Sequence, residues 1–207
     1  MTEVADLIVV GAGPAGSATA YHAAMSGLDV ALLDRQHFPR DKPCGDGLLP
    51  HAQNEIRLMG LGDWLDEPRH GVFDGYSIYG RKAVLTGASP PSVNGKRGYV
   101  IPRAETDQAL LERARQKGVR FLGGVKALGL LHTSSGKVAG VEATANGGSS
   151  GRLHFEAPLV VVADGVGSFA REGLKNEQNG VAIRQYFAAA KGSRRNHVHF
   201  WMTENLT

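Results

Sequence analysis

Asp6-Leu7-Ile8-Val9-Val10-Gly11-Ala12-Gly13-Pro14-Ala15-Gly16-Ser17 is the stretch whose reading settles the fold. Leu7 to Val10 is a short apolar run that stops at Gly11. Pro14 to Ser26 is alanine-rich and closes at Gly27, so the order is strand, turn, helix, glycine stop. Asp29 to Leu33 is a second apolar run ending at Asp34-Arg35, which makes the first 34 residues one βαβ unit. Gly11-Ala12-Gly13-Pro14-Ala15-Gly16 matches G-x-G-x-x-G at the strand-to-helix turn where that pattern has a mechanism. Gly11 permits the tight turn, Gly13 lets a pyrophosphate approach the backbone, and Gly16 lets helix and strand pack closely. Pro14 suits the first helical turn. A helix N-terminus there offers free N–H groups and about half a positive charge to an anion. Asp34, 18 residues beyond Gly16, stands where an acid can hydrogen-bond an adenosine ribose. These residues point to a bound dinucleotide and leave FAD and NAD both open.

Composition bounds the rest. The 207 residues carry 23 Lys plus Arg against 20 Asp plus Glu, a net charge of +3, which is too small for a nucleic-acid surface. With 42% hydrophobic and 21% charged residues the chain has ordinary globular composition. Its 28 glycines are roughly twice the ~7% average and favour tight turns and close backbone approaches. Cys44 is the single cysteine, so neither a disulfide framework nor a multi-cysteine zinc site is available, and a reducing, cytoplasmic setting is expected. No apolar run approaches the ~20 residues of a membrane span, and Met1-Thr2-Glu3-Val4 lacks the basic start of a signal peptide. A pI of about 9.1 is compatible with peripheral contact with an anionic membrane, although at +3 the attraction is weak. The oligomeric state is not encoded in any pattern here.

Beyond the first unit, Gln36 to Pro50 reads as an irregular loop broken by Pro39, Pro43, Gly45, Gly47 and Pro50. Gln53 to Met59 reads as a short helix and Leu61 to Leu65 as a further turn, both packing on the βαβ unit. Tyr76–Tyr79 and Lys82–Leu85 form a hairpin, Tyr99–Ile101 a strand, and Glu105–Lys117 a helix with Leu110, Leu111 and Ala114 on one stripe. Val125–Leu131, Val138–Ala143 and Leu153–Phe155 read as a meander. Leu159–Ala163 has the pattern of a strand buried on both faces, with a βα turn expected at Asp164-Gly165. Val181–Ala188 and His197–Met202 read as two more strands.

At this point the residues carry a family resemblance. The opening Asp6 to Ser17 with Asp34-Arg35 resembles the FAD fingerprint of p-hydroxybenzoate-hydroxylase-like flavoproteins. Phe38-Pro39-Arg40-Asp41-Lys42-Pro43-Cys44-Gly45-Asp46-Gly47-Leu48-Leu49-Pro50 resembles the loop of the geranylgeranyl reductase family, which reduces isoprenoid C=C bonds with FAD. Arg103 to Leu111 is similar to the segment whose arginine reaches the flavin nucleotide. Val162-Ala163-Asp164-Gly165-Val166-Gly167-Ser168 with Arg171 is similar to the superfamily's Asp-Gly motif, associated with FAD and reduced pyridine nucleotide. The resemblance implies FAD as cofactor, NADPH or another reductant as electron donor, and a lipid-like isoprenoid substrate. A monooxygenase, a halogenase, or a truncated non-catalytic FAD-binding protein are the other readings it allows. The second Gly-Asp motif of that superfamily has no counterpart within these residues, so the chain reads as the N-terminal portion of a longer flavoprotein or as a truncated relative.

The expected architecture is α/β: a Rossmann-like FAD-binding βαβ domain with a β-meander and part of a second, β-rich substrate domain. Residues 1–72 and 98–175 are assigned to the first and 73–97 and 176–207 to the second. The expected cofactor residues are Gly11, Gly13, Pro14, Ala15, Gly16, Asp34, Arg35, Arg40, Cys44, Gly45, Arg103, Asp164 and Gly165, with no metal site. Cys44 and Asp46 are the expected catalytic pair. Cys44 is otherwise a loop thiol and Asp46 a turn-capping residue, the arginines are otherwise solvated, and His197-x-His199 reads as two exposed strand histidines. Arg103 at a helix start is unfavourable for the helix dipole, which argues for a phosphate partner.

Overall fold

The computed structural model describes residues 2–89, 98–145, 151–170, 183–186 and 196–202. In chain order its elements are β1 (Thr2–Val4), β2 (Leu7–Val10), α1 (Pro14–Met25), β3 (Val30–Asp34), β4 (Gly47–Leu48), α2 (Pro50–Leu58), α3 (Gly62–Leu65), β5 (Gly71–Phe73) and β6 (Gly75–Tyr79). They continue with β7 (Val84–Ala88), β8 (Gly98–Val100), α4 (Arg103–Arg115), β9 (Arg120–Gly123), β10 (Val125–His132), β11 (Val138–Ala145), β12 (Leu153–Glu156), β13 (Leu159–Val162) and β14 (His197–Trp201). The chain divides into two compact units, Met1–Lys42 with Arg103–Val181 and Pro43–Pro102 with Ala182–Thr207.

In the first unit β13-β2-β3-β9 form a parallel sheet, and β1-β12-β11-β10 form a second sheet in which β10, β11 and β12 are the antiparallel meander. The sequence of β2, and of β3 up to its terminal Asp34, is apolar because both faces are covered. Ile8, Val10, Ala31 and Leu33 pack with Val125, Val141, Ala143 and Phe155 of the meander. On the other face Val9 lies against α1, where its Cγ1 is 3.3 Å from the position a Cβ on Gly16 would take. Each such valine, leucine, isoleucine or phenylalanine contributes about 1.5–3 kcal/mol by burial, so this three-layer core fixes the end of β2 as a rigid platform. Leu110, Leu111 and Ala114 of α4 are buried as their spacing predicts, and α4 packs beside α1. α1 ends at Gly27, whose φ of +87° lets the Leu28 N–H return to the Ala23 carbonyl at 3.2 Å.

Several expectations change. β13 is not buried on both faces: Leu159 is 54% exposed, because among the described residues β13 is the outer strand of its sheet. The loop from Gln36 to Pro50 is not wholly irregular, since Gly47–Leu48 pairs with Tyr99 and Val100 of β8. α2 and α3, expected on the βαβ unit, fall in the second unit, where they pack on one another. There Arg57 donates two hydrogen bonds to the Asp66 carboxylate at 2.7 and 2.8 Å.

The second unit also contains the sheet β14-β6-β7. β6 and β7 form a hairpin as expected, but with its second strand at Val84–Ala88 rather than Lys82–Leu85, because the turn takes in residues as far as Ala83, and β14 runs parallel to β6. His197 and His199 share a face, as the strand period requires, but are half-buried rather than exposed. Their Nδ1 atoms lie 3.2 Å from Ser77 Oγ and 3.1 Å from Tyr79 Oη. Of Val181–Ala188 only residues 183–186 are described, and they carry no strand; Arg171 lies outside the described residues. No helix among the described residues is long and apolar enough to cross a membrane.

Candidate dinucleotide site

The glycine turn follows β2 directly. Gly11 has φ +98°, and a Cβ there would lie 2.5 Å from the Ala163 carbonyl oxygen, so only glycine fits where β2 meets the Asp164-Gly165 turn. A Cβ on Gly16 would overlap the Gly11 carbonyl oxygen, which is the close packing of turn against helix. Gly13 differs: it caps α1 with extended backbone, Pro14 follows in the first turn, and no side chain caps the helix. The nearest atoms to a Cβ on Gly13 would be Arg40 Nη2 at 3.5 Å and Arg103 Nη2 at 3.8 Å. The space over Gly13 is thus bounded by open helix N–H groups and two guanidinium groups, a donor set suited to a diphosphate.

Two buried carboxylates hold this arrangement. Asp34 accepts the Ala12 N–H and the Gln36 N–H, each at 2.8 Å, and lies 4.0 Å from Arg40 Nη2. Both its oxygens are engaged, yet a carboxylate has lone pairs for further donors such as ribose hydroxyls. Asp107 is fully buried. It accepts Arg103 Nε and Nη2 at 2.7 and 2.8 Å and lies 3.1 Å from Arg40 Nη1. Arg103 at the start of α4 therefore has a carboxylate partner within its own helix, so its position relative to the dipole does not by itself require a phosphate. Sequence reasoning passed over Asp107 as a site residue; the Arg103/Asp107 spacing of one helical turn was the available signal.

At the end of β13, Asp164 Oδ2 accepts the Phe169 N–H at 3.0 Å, while its Oδ1 is buried with no hydrogen-bond partner among the described residues. A buried carboxylate oxygen without a donor is costly unless a ligand supplies one. A Cβ on Gly165 would meet Lys42 Nζ at 3.2 Å, which brings a further cation to this turn. Gly11, Gly13, Gly16, Asp34, Arg40, Arg103, Asp164 and Gly165 all belong to the first unit, with Pro14 and Ala15 exposed at the start of α1 and Arg35 exposed after β3.

Cys44, Gly45 and Asp46 belong to the second unit. Cys44 is exposed, as is Gly45. Asp46 is buried with φ +57°, and its backbone carbonyl accepts the Ile101 N–H at 3.0 Å. Its carboxylate accepts the Tyr186 hydroxyl at 2.5 Å and lies 3.5 Å from Arg184 Nη1, whose guanidinium stacks over the Tyr186 ring. Arg184 and Tyr186 carried no sequence signal, because they reach Asp46 only through the fold.

The donor set fits a dinucleotide, and comparison with known proteins agrees. Residues 2–203 match the family described as FAD binding domain. The chain is 38% identical over 209 residues to menaquinone reductase of Mycobacterium tuberculosis, covering 98% of this chain and 48% of that protein. It is 30% identical over 166 residues to digeranylgeranylglycerophospholipid reductase 1 of Methanothermobacter thermautotrophicus, covering 80% of this chain and 40% of the relative. Among solved structures, a myxobacterial chondrochloren halogenase, a FAD-dependent enzyme, superposes with a TM-score of 0.71 at 30% identity over 79% of this chain and 38% of that one. The chain spans about half the length of the curated relatives it matches.

Proposed function

The chain belongs to the FAD binding domain family, and from that premise we propose that it forms the cofactor-binding half of a flavin-dependent reductase acting on a C=C bond of a polyprenyl lipid. The observation that carries the cofactor half is the pair Arg40 and Arg103, whose Nη2 atoms converge on Gly13 at the start of α1. The substrate half is supported by the two reductase relatives, one named for menaquinone, a quinone with a polyprenyl tail, and one for a geranylgeranyl lipid. The loop Cys44-Gly45-Asp46-Gly47 is the sequence feature that favours reduction over oxygenation. Within this reading residues 73–97 and 176–207 form part of the substrate domain.

In this mechanism Gly13, the first turn of α1, Arg40 and Arg103 would hold the diphosphate, Asp34 would accept from the ribose, and Asp164 Oδ1 would take a donor from the cofactor. When bound, and reduced by NADPH or another two-electron donor, FAD would supply hydride chemistry for the double bond. The exposed Cys44 Sγ–H is the proposed proton donor to the second carbon. Asp46, held by Tyr186 and Arg184, fixes the loop that carries it. The hydride and proton together add two hydrogens to the substrate.

Incubation of the full-length protein with FAD, NADPH and menaquinone, followed by mass spectrometry, tests the reading. A product heavier by two hydrogens in the polyprenyl chain is expected. A hydroxylated or halogenated product would replace it with the monooxygenase or halogenase reading. In the same assay Cys44→Ala is expected to keep FAD bound and lose turnover; a variant stripped of flavin would mean that the loop is purely structural.

A further inference from the structure

We propose that Asp107 is a positioning residue for cofactor binding: it holds Arg40 and Arg103 together as one cationic clamp over Gly13. The inference rests on the dinucleotide reading of the site and deepens it. Two guanidinium groups drawn from loop and helix, 63 positions apart in sequence, converge on one carboxylate. Asp107 is fully buried, and the side chains of Arg40 and Arg103 are 10% and 15% exposed, so solvent screens their mutual repulsion poorly. Without an anion between them, two such cations would swing apart. A buried charge without hydrophobic gain is retained at a cost in stability, and specifying a geometry is one reason to retain it.

The division of atoms supports this assignment. Asp107 takes both Nε and Nη2 of Arg103, fixing the plane of that guanidinium, and anchors Arg40 through Nη1. In that posture the Nη2 atoms of both arginines are the nearest atoms to the vacant Cβ direction of Gly13. The carboxylate opposes anion binding by its own charge and favours it by orienting two cations. The geometry points to the second effect as the larger, because bidentate recognition of phosphate depends on the direction of the fork as well as on charge.

Binding of FAD and of ADP, measured by calorimetry, tests the clamp without any turnover. Asp107→Asn keeps the shape and removes the charge. It is expected to weaken both ligands to a similar degree, by about 30-fold. In an Arg40→Gln/Arg103→Gln background the same substitution is expected to have no further effect. Unchanged or tighter binding in Asp107→Asn overturns the inference, and so does an undiminished effect in the arginine-free background, since Asp107 would then act through the packing of α4. Should Asp107→Asn fail to fold, the single and double arginine variants decide in its place. Their losses should not multiply if one carboxylate couples them, and strict multiplication overturns the clamp. Failure of the unsubstituted protein to bind either FAD or ADP would overturn the dinucleotide reading along with it.

Discussion

The two units each bury an acidic side chain next to a glycine-bearing turn, and they use it differently. In the first unit Asp34 and Asp107 are held by backbone N–H groups and by arginines that still present donors to the space over Gly13. In the second unit Asp46 sits between Gly45 and Gly47, and its carboxylate is engaged by Tyr186 and Arg184 of one short segment. The first arrangement gathers two guanidinium groups beside the glycine turn at the start of α1; the second ties two parts of the chain together. Burial of a carboxylate is therefore no measure of catalytic use. The partners, and where their remaining hydrogen-bonding atoms lead, decide between a ligand site and a latch.

The largest effect that would sharpen this contrast lies within the glycine turn. Gly16→Ala places a methyl on the Gly11 carbonyl and should cost about 3 kcal/mol, read as a fall in the denaturation midpoint, with FAD lost as a consequence. Gly13→Ala should leave the midpoint within about 1 kcal/mol, since alanine tolerates its φ of −72° and the nearest atoms stand at 3.5 Å or beyond, yet lose FAD on desalting. A Gly13→Ala protein that retains its flavin breaks the assignment of the opening to the diphosphate.

Next in size is the Asp46 latch. Tyr186→Phe removes the hydroxyl donor and should cost about 1 kcal/mol, with FAD affinity untouched and the rate of Cys44 alkylation altered. As Cys44 is the single cysteine, its modification rate reports that loop alone. A fall in FAD affinity in Tyr186→Phe would erase the distinction between the two acidic sites.

The smallest effect is a surface control. Glu142 is held below the usual carboxylate range chiefly by the hydrogen bond from Arg152 and also by the charges of Arg152 and His154. A depressed carboxylate contributes stability that is present above its unfolded pKa and lost as pH falls through its lower folded value. Arg152→Ala should therefore slightly lower the melting temperature near neutrality and flatten its fall on acidification below about pH 4.5, so that the two proteins converge in acid. Identical acid profiles for the two proteins would remove any stabilising part for this exposed pair.

Much of the first unit was legible because its signals are local. The βαβ order, the glycine spacing, Asp34 at the strand end and the stripe of α4 each follow from residues within a few turns of one another. β1 was missed because three residues, Thr2–Val4, are too short to show a period, and only the partner strand β12 makes them a strand. β13 misled because an apolar run records the side chains available and not the number of strands beside it. The dipole argument for a phosphate partner at Arg103 leaves out Asp107, one turn on, which changes the balance.

The sequence by itself determined that a strand, a glycine turn and a helix would present a dinucleotide cradle, since chain sterics and hydrophobic period act over short distances. Tertiary structure decided which charges meet there: Arg40 with Arg103 on Asp107, and Asp46 with Tyr186, 140 positions away. Electrostatic contacts depend on distance in space, and for residues far apart in the chain only the packed core sets that distance.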